Sequence, residues 1–245
     1  MIPCKLQLDE QGRIVVHFSK RVYKLAGRIG TLGSGNMKAV LKKYRQLPWV
    51  SAILVLINVL IFLVCWFSGD LLYHLGGLSL FDVVFNREYV RVITSMFLHS
   101  DLNHIFNNMV LLFFMGSMIE KQIGHVWYAV FYFLSGIGGN LVSLLHKAMV
   151  SEWVVSVGAS GAVFGLTGIL LALVLFRRSR MPDMTPRKVM LMIVLSLYNG
   201  VTAGNIDNAA HVGGLITGFM LGVLWSVVSE MIWNKSHKSG GMESL

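Results

Sequence analysis

A serine between small residues stands at the start of a long apolar run and is the first candidate for covalent chemistry. Ser160 is preceded by Gly158 and Ala159 and followed by Gly161, and the chain stays mostly apolar as far as Phe176. Small neighbours leave a hydroxyl uncrowded, and the free N–H groups of a helix's first turn can stabilise an oxyanion. The pattern makes Ser160 a candidate nucleophile, but on its own it is a weak signal, because small residues also mark ordinary contacts between membrane helices.

Two histidines and an asparagine lie near the starts of other apolar segments, where polar side chains are costly. His104 and Asn108 are four residues apart and so share one face of a helix, whereas His211 lies near the start of the last segment. His99 is expected just before the helix that carries His104. These side chains serve either catalysis or hydrogen bonding between helices.

Together these residues would form a site for acyl transfer. Ser160 would attack a carbonyl, and His211 would take the serine proton and pass it to the leaving amine. His104, Asn108 and the backbone N–H of Ser160 would donate to the oxyanion. Asp207 lies four residues before His211 and is expected to cap that helix, so a Ser–His dyad is predicted.

A metal site is the alternative chemistry for the histidines. His99, His104 and His211 are suitable ligands for zinc. The chain lacks the H-E-x-x-H spacing of zinc peptidases, and no second carboxylate accompanies the three histidines. We therefore expect no metal.

The composition is that of a membrane protein. Of the 245 residues, 55% are hydrophobic and 13% are charged, and the mean hydropathy is +0.65. The net charge of +9 comes without any base-stacking or base-reading motif, so nucleic acid is not an expected partner. Neither a disulfide nor a metal site is expected from Cys4 and Cys65, and no cleavable signal peptide is expected.

Six apolar segments are predicted to cross the membrane, because most approach the roughly 20 residues that a spanning helix needs. They are residues 49–68, 103–120, 125–146, 160–177, 188–204 and 208–230. The expected fold class is an all-α polytopic membrane protein with a bundle of six transmembrane helices.

Paired glycines predict that the fourth and sixth segments touch. The last segment has a G-x-x-x-G step at Gly214 and Gly218, and the fourth has the same step at Gly161 and Gly165. Such a step lets two backbones come close. The contact would bring the candidate base beside the candidate nucleophile.

The distribution of Lys and Arg predicts the orientation in the membrane. With the N-terminus inside, 18 of the 21 Lys and Arg residues lie in inner segments, and the outer ones hold Arg87, Arg91 and Lys147. This bias predicts cytosolic termini and suits a plasma membrane. The apolar connection 69–102 and the loop before Ser160 then face outward, the former in the lipid interface.

Three parts are expected along the chain. Residues 1–48 form a basic cytosolic segment, with a short hairpin indicated by alternating apolar residues and a basic helix at 37–47. Residues 49–230 form the membrane domain, and residues 231–245 form a cytosolic tail. The sequence predicts neither a role for the first segment nor an oligomeric state.

In three places the chain resembles the rhomboid family of intramembrane serine proteases, over about residues 49–230. The matching motifs are His99-(x)4-His104-(x)3-Asn108, Gly158-Ala159-Ser160-Gly161 and Ala210-His211-(x)2-Gly214-(x)3-Gly218. Arg91 also matches, but its usual tryptophan neighbour is Val90 here. Phe164 stands where some members have a tyrosine that packs on the histidine; it can stack but cannot hydrogen-bond.

The resemblance implies a six-helix fold, no cofactor, and cleavage of transmembrane protein substrates within the lipid bilayer. It assigns the nucleophile and base to Ser160 and His211, and the oxyanion donors to His104 and Asn108. The alternative is a rhomboid-like binder or chaperone of membrane helices, but relatives of that kind typically lack the serine or the histidine. A channel is disfavoured because the polar groups gather at one depth.

Overall fold

The computed structural model of the chain describes residues 4–8, 14–18, 47–177, 181, 184–202 and 206–240. The chain divides into two compact units, Met1–Leu47 and Pro48–Leu245. In the first unit, strand β1 (Cys4–Leu8) pairs antiparallel with strand β2 (Ile14–Phe18). The basic helix expected at residues 37–47 lies, apart from Leu47, outside the described residues.

The described part of the second unit contains six long helices and three short ones. In chain order they are α1 (Trp49–Ser68), α2 (Leu71–Gly76), α3 (Leu80–Val84), α4 (Arg91–Thr94), α5 (Leu102–Ile123), α6 (His125–Val150), α7 (Ser160–Phe176), α8 (Pro186–Thr202) and α9 (Asn208–Gly240). Helix α4 continues into a 3-10 turn, Ser95–Phe97. The long helices lie close to the six apolar segments of the sequence.

Four of the helices within the described residues are long and apolar enough to cross a membrane, by length and composition. They are α1, α5, α6 and the part Asn208–Ile232 of α9. Helix α7 is apolar but has only 17 residues, which makes it about 25 Å long against about 30 Å of hydrocarbon. The chain is thus a helical multi-pass membrane protein, and the six crossings stay a prediction.

Helix α9 is longer than the apolar segment from which it was predicted. It continues to Gly240, so the start of the tail expected at residue 231 falls inside a helix. The sequence explains the difference, because no glycine or proline interrupts residues 223–239 and Gly240 is followed by Gly241. Loss of hydropathy marks where a segment leaves the membrane, not where its helix ends.

Helix α7 occupies the centre of the bundle. Every residue from Gly161 to Leu170 is buried. The helix contacts α5, α6, α8 and α9. A helix that is apolar on all sides is expected in such a position, because it has no polar face to turn outward.

The predicted contact between α7 and α9 is confirmed, and it is made by backbone atoms. A Cβ added to Gly214 would fall on the carbonyl oxygen of Gly161. A Cβ added to Gly218 would likewise fall on the carbonyl oxygen of Gly165. The two helices therefore approach as closely as the paired glycines allow.

Arg91 organises the connection between α1 and α5. The guanidinium is buried, donates from Nε to Glu88 at 2.6 Å and lies 3.5 Å from Asp82. Its Nη1 donates to the carbonyl of Gly77 at 3.0 Å. The adjoining Leu78 exchanges two backbone hydrogen bonds with Ser156, at 2.9 and 3.0 Å. The connection is thereby joined to the chain that leads into α7.

Candidate active site

Ser160 is the first residue of α7, and two backbone contacts fix the chain before it. The N–H of Gly158 donates to the carbonyl of Ser95 at 2.9 Å, and the N–H of Ala159 donates to Nε2 of His99 at 3.5 Å. Gly158 has a φ of +132°, which residues with a Cβ rarely adopt, so a glycine is needed there. The side chain of Ser160 is half-buried and makes no hydrogen bond with another described residue.

His211 is the fourth residue of α9, and only 5% of its surface is exposed. Its ring stacks on that of Phe164, with centroids 4.1 Å apart and 13° between the planes. The carbonyl oxygen of the preceding residue, Ala210, lies 3.5 Å from the position of a Cβ added to Gly161. The residues next to His211 and Ser160 therefore lie close together, although no hydrogen bond joins the side chains of His211 and Ser160 among the described residues.

His104 lies at the first turn of α5 and faces the chain before Ser160. Asp101 caps this helix by accepting from the N–H of His104 at 2.9 Å. Nε2 of His104 lies 2.7 Å from the position of a Cβ added to Gly158, and Oγ of Ser160 lies 3.7 Å from the same position. The two side chains therefore both approach Gly158, and His104 packs closely against it.

Ser100 touches the other nitrogen of His104, a contact that sequence reasoning missed. Its Oγ lies 3.1 Å from Nδ1 of His104 and 2.8 Å from Oδ2 of Asp101. The hydroxyl has one proton and can give it to only one of them. When Ser100 donates to Nδ1, neutral His104 carries its own proton on Nε2, the nitrogen beside Gly158.

Asn108 and His99 complete the polar group at this end of α5. Asn108 is buried, and its Nδ2 donor has no partner among the described residues. His99 is fully buried and meets His104 edge to face, with ring centroids 5.0 Å apart. Burial, and then the neighbouring His104, lower the pKa of His99 to about 3, so its ring is neutral at pH 7.

Several polar atoms of this group are buried without a partner. They are Nδ2 of Asn108, Nδ1 of His99 and Nδ1 of His211, three of the eight such atoms found among the described residues. Leaving one buried polar group unpaired costs about 1–3 kcal/mol. In a folded protein such groups usually find their hydrogen-bond partner in an ordered water or a bound ligand.

Not every predicted site residue lies in this group. Arg91 is held by Glu88 and Gly77 in the outer connection, and Gly218 packs against Gly165 further along α9. Gly214 meets the backbone of α7 beside Ser160. In the part of the chain that is described, no group of three or more His, Cys, Asp or Glu side chains could hold a metal ion.

Asp207 caps α9 as expected, and it also has partners that the sequence did not indicate. Oδ1 accepts from the N–H of Ala210 at 2.9 Å. Oδ2 accepts from the hydroxyls of Ser143 and Ser156, which are 64 and 51 residues away along the chain. Burial raises the pKa of this carboxyl, but those hydrogen bonds and the charge of Lys147 outweigh burial and leave the pKa below its ordinary value.

Comparison with known proteins gives a match that covers every residue of this group. A family model described as "Rhomboid domain" matches residues 86–227. The chain is 32% identical over 173 residues to "RHOMBOID-like protein 7" of Arabidopsis thaliana, which is 70% of this chain and 54% of that protein. It is 33% identical over 176 residues to "RHOMBOID-like protein 6, mitochondrial" of the same plant, 70% of this chain and 55% of that protein.

A bacterial relative is also similar. The chain is 31% identical over 138 residues to "Rhomboid protease GluP" of Bacillus subtilis (strain 168), which is 56% of this chain and 26% of that protein. The chain thus spans about half the length of the plant relatives and about a quarter of the bacterial one.

Proposed function

The chain belongs to the rhomboid family, and on that premise we propose that it is an intramembrane serine endopeptidase. Its substrates would be transmembrane proteins, cleaved near the outer face of the membrane. The family alone does not decide this, because its members include proteins named protease and proteins named only rhomboid-like. The decision rests on the side chains of this chain.

The observation that carries the proposal is the approach of two polar side chains to Gly158. Oγ of Ser160 and Nε2 of His104 lie beside this glycine, and the Nδ2 donor of Asn108 is buried without a partner on the same helix face as His104. A carbonyl oxygen that becomes an oxyanion would satisfy such donors.

The reaction follows from ordinary serine protease chemistry. Oγ of Ser160 bonds to the carbonyl carbon while His211 takes the hydroxyl proton. His211 then returns that proton to the amine as the C–N bond breaks, which leaves an ester on Ser160. Water, deprotonated by His211, hydrolyses the ester and restores both side chains.

Backbone donors of α7 would assist the oxyanion. The first N–H of this helix that bonds to a carbonyl is that of Val163, which donates to Ala159 at 3.0 Å. The N–H groups from Ser160 to Ala162 are therefore left without a helical partner. Together with His104 and Asn108, the N–H of Ser160 would hold the negative charge.

Substrate recognition would depend on local unwinding. A peptide carbonyl in a helix already accepts a hydrogen bond and is shielded by its own turn. The scissile bond must therefore leave the helix before Ser160 can reach it. Substrates with glycine or proline near the cut would be preferred, since these residues weaken a helix by about 1 and 3 kcal/mol.

Orientation in the membrane is part of the proposal. With six crossings and cytosolic termini, the starts of α5, α7 and α9 all face the outer side, and the site lies within a few residues of that side. The proposed location is a plasma membrane. The basic segment 1–48 lies outside the proposed catalytic part, 49–230.

Labelling with a fluorophosphonate tests the nucleophile. The reagent phosphorylates an activated serine, with fluoride as the leaving group. The detergent-purified wild type should be labelled, Ser160→Ala should not be, and His211→Ala should be labelled at least about a hundredfold more slowly. Ser226→Ala is the matched control, because that hydroxyl of α9 only donates to the carbonyl of Gly222 at 2.8 Å.

Cleavage is measured with the same proteins in liposomes. The substrate is a single transmembrane helix with a Gly-Pro pair near its outer end, and its counterpart carries Leu-Leu there. Faster cleavage of the first, lost in Ser160→Ala, is the expected result. A folded wild type that neither reacts with the reagent nor cleaves either substrate would overturn the proposal and favour the alternative, a binder of membrane helices.

A further inference from the structure

We propose that Asp207 is a positioning residue, whose carboxylate ties the segment leading into Ser160 to the helix that carries His211. The segment is residues 151–159, called here the pre-serine segment. The inference rests on the proposed function, since it concerns how the nucleophile and the base are held beside each other. Asp207 itself touches neither Ser160 nor a substrate in the proposed reaction.

The two oxygens of Asp207 have separate tasks. Oδ1 caps α9 by accepting from the N–H of Ala210 at 2.9 Å, and Ala210 is the residue before His211. Oδ2 accepts from the hydroxyl of Ser156 at 2.6 Å and from that of Ser143 on α6. One carboxylate thus joins α9, α6 and the pre-serine segment. The contacts of Oδ2 with Ser156 and Ser143 are called here the junction.

Lys147 supports the same junction from α6. Its Nζ donates to the carbonyl of Val154 at 2.5 Å and lies 4.0 Å from Oδ2 of Asp207. The lysine side chain is 4% exposed and the aspartate side chain 19% exposed, so water screens the pair little. Hydrogen bonds to a charged acceptor are roughly twice as strong as those between neutral groups.

Apolar burial does little to hold the middle of the pre-serine segment, although Ala159 at its end is buried. Trp153, Val154 and Val155 are 58%, 62% and 48% exposed. Polar contacts fix the segment instead: backbone bonds from Ser156 to Leu78 and from Gly158 to Ser95, and the bond from the Ser156 hydroxyl to Asp207. Loss of the last contact would free the segment on the side that faces α9.

Asparagine at position 207 separates the cap from the junction. Asparagine caps a helix as well as aspartate does, so the contact with Ala210 can be kept. Its second polar atom is an uncharged amide nitrogen, which can donate to the hydroxyls of Ser156 and Ser143 but cannot accept from them, and which does not attract Lys147. Asp207→Asn therefore replaces the charged acceptor of these contacts by a neutral donor and leaves the start of α9 capped.

The first measurement is the rate of fluorophosphonate labelling. Asp207→Asn and Ser156→Ala should each slow labelling of Ser160 by between about tenfold and a hundredfold. Because both variants weaken the same contact, the double variant should be little slower than either single one. The inference would be overturned if the double variant were slowed by the product of the two single effects, or if both single variants were labelled at the wild-type rate.

The second measurement needs no activity. Amide hydrogen exchange in residues 151–159 should be faster in Asp207→Asn and in Ser156→Ala than in the wild type, while exchange in residues 208–214 stays unchanged. If wild type is not labelled, the proposed function fails, and exchange still tests the junction. Faster exchange confined to residues 208–214 would mean that Asp207 is only a cap, and Ser156→Ala keeps the test available should the Asp207 variant not fold.

Discussion

The imidazole of His211 lies flat on the ring of Phe164, with centroids 4.1 Å apart and 13° between the planes. Phe164 is buried on α7, one turn after Ser160. The same helix therefore carries the proposed nucleophile at its first residue and, one turn later, the surface on which the proposed base rests. The position of the base is thus set relative to the nucleophile by one rigid element.

Replacing Phe164 by leucine removes that surface with little change in apolar volume. Because an aromatic stack is worth about 0.5–1.5 kcal/mol, labelling of Ser160 should slow by about threefold to tenfold. The free energy of unfolding should fall by less than about 1.5 kcal/mol. Phe164→Tyr keeps the ring and should stay within about twofold of the wild-type rate. Equal rates for the leucine and tyrosine variants would show that the stack does not orient His211.

Gly214 and Gly161 face each other but should respond differently to alanine. A Cβ at Gly214 would overlap the Gly161 carbonyl, whereas a Cβ at Gly161 would meet the Ala210 carbonyl at an ordinary 3.5 Å. Gly214→Ala should lower the free energy of unfolding by about 1–3 kcal/mol or more, because α7 and α9 must move apart. Gly161→Ala should be neutral or stabilising by up to about 1 kcal/mol, since alanine favours a helix. Unfolding in mixed detergent measures both, and similar losses would contradict the close contact.

Gly158→Ala should inactivate the protein through the site as well as through the backbone. The new Cβ would lie 2.7 Å from Nε2 of His104, in the space proposed for the oxyanion. Labelling should fall by at least about a hundredfold. Gly69→Ala is the matched control, because Gly69 also has a positive φ, +66°, but a Cβ there meets nothing within 4 Å. Backbone strain in Gly69→Ala should lower the free energy of unfolding but leave the labelling rate unchanged.

Ser100→Ala tests which nitrogen of His104 carries the proton. Donation from this hydroxyl to Nδ1, 3.1 Å away, would keep the His104 proton on Nε2, and the alanine variant removes that donation. Labelling should slow by about threefold to tenfold, the worth of one neutral hydrogen bond. Ser100→Thr keeps the hydroxyl and should keep the rate. A wild-type rate in the alanine variant would mean that Ser100 does not select the tautomer.

The carboxyl of Asp207 should make the stability of the protein depend on pH in acid. Its pKa is below the ordinary value in the folded state, because hydrogen bonds from Ser143 and Ser156 and the charge of Lys147 outweigh burial; His211 also faces it. A lowered pKa stabilises the fold above the unfolded-state value of about 3.9, and this contribution is lost as pH falls through the folded value. The difference in free energy of unfolding between wild type and Asp207→Asn should be constant from pH 7 to about pH 5 and shrink below about pH 4. A difference that grew in acid would have the wrong sign.

The helices and their closest contact could be predicted because they depend on local patterns. The apolar run after Gly158 placed the start of α7 at Ser160, and the paired glycines indicated its contact with α9. The family assignment, made from three short motifs, is confirmed by the match over residues 86–227. The catalytic roles of Ser160 and His211 remain a prediction.

The junction at Asp207 could not be predicted in the same way. Ser143 lies within the apolar segment that became α6, and Ser156 lies in a loop without periodicity. Lys147 appeared only as one of three outer positive charges, yet it is buried against Val154 and Asp207. Such contacts depend on how distant elements meet, which no spacing within one element records.

The burial of α7 bears on how the protein responds to the lipids around it. A helix in contact with lipid tilts or shifts when acyl chains lengthen or shorten. Helix α7 is enclosed by α5, α6, α8 and α9. The difference between its length and the bilayer thickness therefore does not set its position along the membrane normal. The depth of Ser160 is then fixed by its protein neighbours, whereas a single-helix substrate of the proposed reaction would follow the bilayer. Acyl-chain length would therefore decide which peptide bond of the substrate arrives at the level of the serine.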